Sequence, residues 1–148
     1  MKILPMMFIG MWCGFMSNNQ KRNRERDKRI LRQIRAIQLE IQEELKFLGI
    51  YHQDDLSTIR PLSRRGLVHA VGDIFERIKE LTAETQKVLK FEKDLIKDFR
   101  NKVFHNYGAV DNFSVFVWVD YCVRKDIINS VEGVLKEIIA SEGDKNGY

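Results

Sequence analysis

FSVFVWVDYCV, residues 113–123, fits a strand by one pattern and a helix by another, and the two give different folds. Phe113, Val115, Val117, Val119 and Tyr121 alternate with the period of a half-buried strand. A lone strand, however, has nothing to pair with in a chain whose other periodic segments are all helical. The stretch is also apolar nearly all round, as a helix at the centre of a bundle must be. It is therefore assigned to a buried helix.

The neighbours on both sides support that choice. Downstream, Ile127, Val131, Val134 and Ile138 predict a helix from about Asp126 to Ser141, and residues 142–148 read as a flexible tail. Upstream, Val88, Phe91, Leu95, Phe99 and Val103 predict one helix from Glu84 to His105. Before it, Leu67, Val71, Ile74, Ile78 and Leu81 form a stripe on a helix opened by Pro61, a residue that suits a first helical turn. Residues 50–60 form a connection. Ile30, Ile34, Ile37, Ile41, Leu45 and Leu48 predict the first helix, about Arg24 to Phe47, with Gly49 as its stop. The expected fold is all-α: an up-and-down bundle of four to five helices, forming a single domain over residues 16–141.

Composition agrees. The 148 residues suffice for one core, and 44% hydrophobic with 31% charged residues excludes a disordered chain. The two cysteines, Cys13 and Cys122, match neither a disulfide framework nor a zinc site, so no metal and a reducing cytoplasm are expected. No glycine-rich phosphate loop, zinc-protease motif or nucleophile elbow is present, and no cofactor is expected.

Residues 1–15 (MKILPMMFIGMWCGF) stand apart. The run falls short of the roughly 20 apolar residues that span a bilayer, and no small-residue cleavage site ends it. Translation starting at Met16 is the preferred explanation. An apolar element docking on a partner comes next, and a secretion signal third. No membrane association is expected.

The net charge of +4 is unevenly spread. Residues 21–36 carry eight basic and two acidic side chains; with Lys2 they exceed the total, which leaves 37–148 at −3. Arg22, Arg24 and Arg26 in that stripe are candidate RNA contacts, although the stripe equally suits the solvated face of a helix.

Three histidines are present. His52 reads as a loop residue and His69 as a structural neighbour of the second helix's apolar stripe. His105 differs, because Arg100, Asn101, Lys102, His105 and Tyr107 crowd one predicted helix end. Arginine offers a permanent planar charge for a phosphate, histidine moves protons near neutrality, and asparagine can orient either. Such a set can cleave RNA without metal, and Lys102 is a further candidate RNA contact. Arg100 and His105 are separated by about 140° and 7.5 Å on an ideal helix, so they do not share a face. The helix ends between them, the arginine reaches round, or two copies of the chain combine their residues. An Arg and a His near a helix C-terminus also satisfy the helix dipole, and the residues alone leave that structural role open.

Arg-x-x-x-x-His-x-Tyr, as Arg100, His105 and Tyr107 within LIKDFRNKVFHNYGAVD, resembles the signature of HEPN domains, specifically the HepT-like branch. Asn101, Trp118 and the segment LVHAVGDIFERI extend the similarity, which covers about residues 24–140. Asn106 and Asp73 depart from the commoner residues of that pattern. The resemblance implies a homodimeric, metal-independent endoribonuclease toxin acting on tRNA or mRNA and leaving a cyclic phosphate. Arg100 and His105 would be catalytic, with Asn101 orienting them. Tyr107 would be the position adenylylated by a cognate minimal nucleotidyltransferase antitoxin. The competing expectation is a non-catalytic HEPN-like dimer that binds a nucleotide or scaffolds a nucleotidyltransferase.

Overall fold

A computed structural model describes residues 17–106 and 110–146. The extension 1–15 and Tyr107 lie outside the described residues. Among those described there are six α-helices and no strand: α1 (Asn18–Leu48), α2 (Pro61–Glu80), α3 (Ala83–Val88), α4 (Lys93–Asn106), α5 (Asn112–Val123) and α6 (Lys125–Asn146). A short 3₁₀ helix, Gln53–Thr58, joins α1 to α2.

The all-α bundle expected from the sequence is what the chain forms. FSVFVWVDYCV is helical throughout, and α5 packs against α1, α2, α6 and the 3₁₀ helix. Contact on several sides explains its apolar circumference: Val115, Trp118, Val119 and Cys122 are all buried. Asp111 caps α5 by accepting from the Ser114 N–H at 2.6 Å, a bond that holds its carboxyl below the usual aspartate range. Arg64 of α2 donates to the Val110 carbonyl and to Asn112 Oδ1, fixing where the chain enters α5.

Helix α1 is longer than expected. It starts at Asn18, where Ser17 and Gln20 form a reciprocal capping box, and stops at Gly49, whose φ of +71° only glycine adopts at little cost. Helices α1 and α6 run antiparallel. Arg24 and Lys28 meet Glu142 at one end, and Arg35 meets Glu132 at 2.6 Å further along. Helix α6 continues to Asn146, and Glu142, assigned to a flexible tail from the sequence, is engaged in these pairs. Burial opposes the charge on Lys28, but its bonds to Glu142 and Glu25 outweigh that and raise its pKa.

The helix expected over 84–105 is two helices. Residues 89–92 leave the helical path, and hydroxyls from other helices satisfy the freed backbone groups. Ser130 Oγ accepts from Lys90 N–H, and the Tyr121 hydroxyl accepts from Glu92 N–H while donating to the Lys90 carbonyl. Before the break, the fully buried carboxylate of Asp27 on α1 grips the α2–α3 junction. It accepts from Thr82 N–H, Thr82 Oγ1 and Thr85 Oγ1 at 3.0, 2.6 and 2.5 Å.

Helix α4 packs on α2, and Phe99 is its one buried side chain among those described. The Phe99 ring stands edge-on to Phe75 of α2 at 5.2 Å and to Trp118 of α5 at 4.8 Å between centroids. A Cβ at Gly72 would approach the Phe99 ring to 3.3 Å, so glycine lets the two helices close on that ring. Cys122 is a free, fully buried thiol whose pKa is raised by burial.

Asp27→Ala leaves two threonine hydroxyls and an N–H without their acceptor and should cost about 2–4 kcal/mol in urea unfolding. Glu43→Ala on the exposed face of α1 should stay within about 0.5 kcal/mol. A loss under about 1 kcal/mol for Asp27→Ala would refute its anchoring role. Phe99→Ala should cost about 3–5 kcal/mol and raise hydrogen exchange in α4 above that in α5. Equal change in both helices would count against Phe99 as the anchor of α4.

Candidate functional site

The spacing on α4 sets the site. Lys93, Lys97, Arg100, Asn101, Phe104 and His105 recur at intervals of four, three, one, three and one, a band along one side of a helix. Phe99 faces the core, and this band faces solvent. Arg100, Asn101 and His105 are all exposed, and Phe104 is 79% exposed.

Together with α2 and α3, the band encloses a groove of about 640 Å³, within the size range of ligand sites. Its cationic lining is Lys79, Lys93, Lys97 and Arg100, joined by Asn101 and His105. Ile78, Phe91, Ile96 and Phe104 supply apolar surface, and among the described residues no carboxylate lines it. Lys79 lies 3.7 Å from Glu76, whereas Lys93, Lys97 and Arg100 have no ion pair among the described residues. Gln86 also lines the groove, its amide nitrogen tied to the Leu81 carbonyl at 2.8 Å.

The groove brings Arg100, Asn101 and His105 into one lining. Helix α4 does not end between Arg100 and His105, so the expected angular offset stands, and the two side chains border a common space rather than touch. No hydrogen bond joins Asn101 to either among the described residues. Tyr107, two residues beyond His105, lies outside the described residues.

The candidate RNA contacts separate. Arg22 and Arg26 are exposed on α1. Arg24 is only 7% exposed and pairs with Glu142 at 3.6 Å, so it is corrected from a nucleic-acid contact to a structural cation. Lys102 is held by Ser114 at 3.2 Å and Asp98 at 3.5 Å and does not line the groove. His52 is exposed and caps the 3₁₀ helix by accepting from Asp54 N–H. His69 is exposed rather than packed in the core. It lines a smaller cavity between α2 and α4 that shares Arg100 and Phe104 with the main groove.

Sequence reasoning missed Lys79, Lys93 and Lys97. The last two carried a usable signal, since Lys93, Lys97 and Arg100 keep helical spacing. Lys79 arrives from another helix, and only the tertiary fold places it there. Among the described residues no three His, Cys, Asp or Glu side chains gather as a metal-ligand group, and no helix is long and apolar enough to cross a membrane.

Chemically, the groove suits an anion with flat apolar parts. Converging cations favour phosphate, and aromatic faces accept a base by stacking. Charge reversal of Lys93 and Lys97 to Glu should weaken binding of a fluorescent single-stranded RNA by about tenfold or more and flatten its dependence on salt. Arg24→Ala should instead lower stability by about 2–3 kcal/mol and leave RNA affinity of the folded protein unchanged. RNA binding indifferent to both lysines would remove the groove as a nucleic-acid surface.

Set beside known proteins, the chain matches no family model, no curated protein and no solved structure, so its functional reading rests on the groove itself.

Proposed function

We propose that the chain is a metal-independent endoribonuclease of the HEPN, HepT-like type and the toxin of a toxin–antitoxin pair. The observation that carries this reading is the groove. Arg100, Asn101 and His105 share it with three further cations and with no carboxylate that would repel a phosphodiester. Aromatic walls beside those cations favour single-stranded RNA over a small inorganic anion.

The chemistry follows from the residue types. His105 takes the proton of a ribose 2′-hydroxyl, and that oxygen attacks the adjacent phosphorus. Arg100 stabilises the charge growing on the non-bridging oxygens. The bond from phosphorus to the 5′-oxygen breaks, and the leaving oxygen receives a proton from an imidazolium. The products are a 2′,3′-cyclic phosphate and a 5′-hydroxyl. One histidine per groove supplies one of the two proton transfers at a time, and a second copy of the chain would bring another His105. Phe104, a large apolar side chain left exposed between Arg100 and His105 in sequence, favours that arrangement, because a homodimer meeting at α4 would cover it.

Control by a nucleotidyltransferase antitoxin fits the same electrostatics. An AMP group on Tyr107 would add negative charge and a base close in sequence to His105, giving the groove an occupant and repelling RNA. The setting is the cytoplasm, where RNA targets lie. A second reading, a non-catalytic dimer that scaffolds a nucleotidyltransferase, draws on the absence of any hydrogen bond linking Arg100, Asn101 and His105.

The two readings separate in one experiment. Purified wild type should cleave single-stranded RNA in the presence of EDTA and leave cyclic phosphate ends. His105→Ala and Arg100→Ala should each be slower by about 100-fold or more. Cleavage absent from the wild type, or equal in all three proteins, would reject the ribonuclease and leave the scaffold.

A further inference from the structure

The second cavity, about 280 Å³, lies between α2 and α4. Arg100 and Phe104 line both it and the main groove, so a ligand whose phosphate meets Arg100 can reach either space. The floor and walls are Val68, Gly72, Phe99 and Val103. Gly72 lets the floor run flat to the edge of the Phe99 ring.

Its rim differs from the main groove. His69, Asp73 and Glu76 recur at spacings of four and three along α2 and all border the cavity. Asp73 meets only Arg77, at a loose 3.6 Å, and Glu76 only Lys79, at 3.7 Å. Neither carboxylate accepts a closer hydrogen bond among the described residues, so their oxygens are available. An apolar slot with acceptors at its edge is unsuited to a phosphate. It suits a flat, uncharged ring that presents N–H donors.

We propose that this cavity receives one unstacked nucleobase of the RNA whose phosphate lies on Arg100, and that its acidic rim selects guanine. The proposal rests on the ribonucleic-acid reading of the main groove. Guanine presents two adjacent donors, N1–H and the N2 amino group, which match the two oxygens of one carboxylate. Adenine places the N1 lone pair beside its amino group, and uracil flanks its single N–H with two carbonyls, so each sets an acceptor against the carboxylate. The N–H of His69 at the same rim suits the guanine O6 or N7 acceptors. Phe104, between the two spaces, offers a face for the base to pass or stack upon.

The test measures binding of oligouridine heptamers carrying one central guanine, inosine or adenine to the full-length His105→Ala protein. Guanine should bind about tenfold tighter than adenine, with inosine, which lacks the N2 amino group, between them. Asp73→Asn combined with Glu76→Gln should erase the preference and leave the adenine heptamer's affinity within about twofold. Changing the base leaves the protein untouched, so misfolding cannot imitate the result. Equal affinity for all three heptamers, with wild-type protein still cleaving RNA, would overturn the base pocket and spare the ribonuclease. Guanine-selective binding by a wild type that cleaves nothing would retain the pocket and reject the nuclease. No binding of any heptamer would overturn both.

Discussion

The contact of one phenylalanine ring with two others carries the candidate site. Every other described side chain of α4 is at least partly open to solvent, and Phe99 alone is buried, edge-on between Phe75 and Trp118. Arg100 follows it in sequence, so the position of the cation is set by the seating of the ring. Trp118 in turn is fixed because α5 is enclosed by α1, α2, α6 and the 3₁₀ helix. The order of dependence runs from an apolar helix that must be surrounded, to an aromatic cluster, to a helix presenting charge at the surface.

That arrangement divides labour along α4. Its stability comes from a narrow apolar strip, and the rest of its surface is free to hold groups that do nothing for the fold. Lys93, Lys97 and Arg100 form no ion pair among the described residues, and solvent keeps their mutual repulsion small. The buried charges elsewhere are treated differently. Asp27 receives three hydrogen bonds, and Arg24 and Lys28 meet Glu142. Charges that hold the bundle together are paired, and the three cations of α4 are left open to solvent.

What could be read from the sequence followed from locality. The helical state of residues 113–123, the stop at Gly49 and the opening of α2 at Pro61 depend on neighbouring residues or on simple periodicity, and all three were legible. The capping box of Ser17 and Gln20 is equally local, and it carries α1 past Arg24 to Asn18. The break at residues 89–92 was not legible, because the hydroxyls that satisfy it belong to Tyr121 and Ser130, some 30 to 40 positions away. The burial of Arg24 depends on Glu142, and the fourth cation of the groove on Lys79 arriving from α2. For the site, the grouping of Arg100, Asn101 and His105 was visible in the sequence. The second cavity, with His69 and Asp73 at its rim, needed α2 and α4 laid side by side.

The pairing of α1 with α6 has a consequence in time. Lys28 and Glu142 are separated by 114 positions, and the two helices run antiparallel along their length. Contacts so distant in sequence form late and slow the search for the native state. On the ribosome, α1 emerges before α6, so part of its isoleucine face stays bare until residues 125–146 are made. The α4 groove is therefore synthesised before the bundle that steadies it can close.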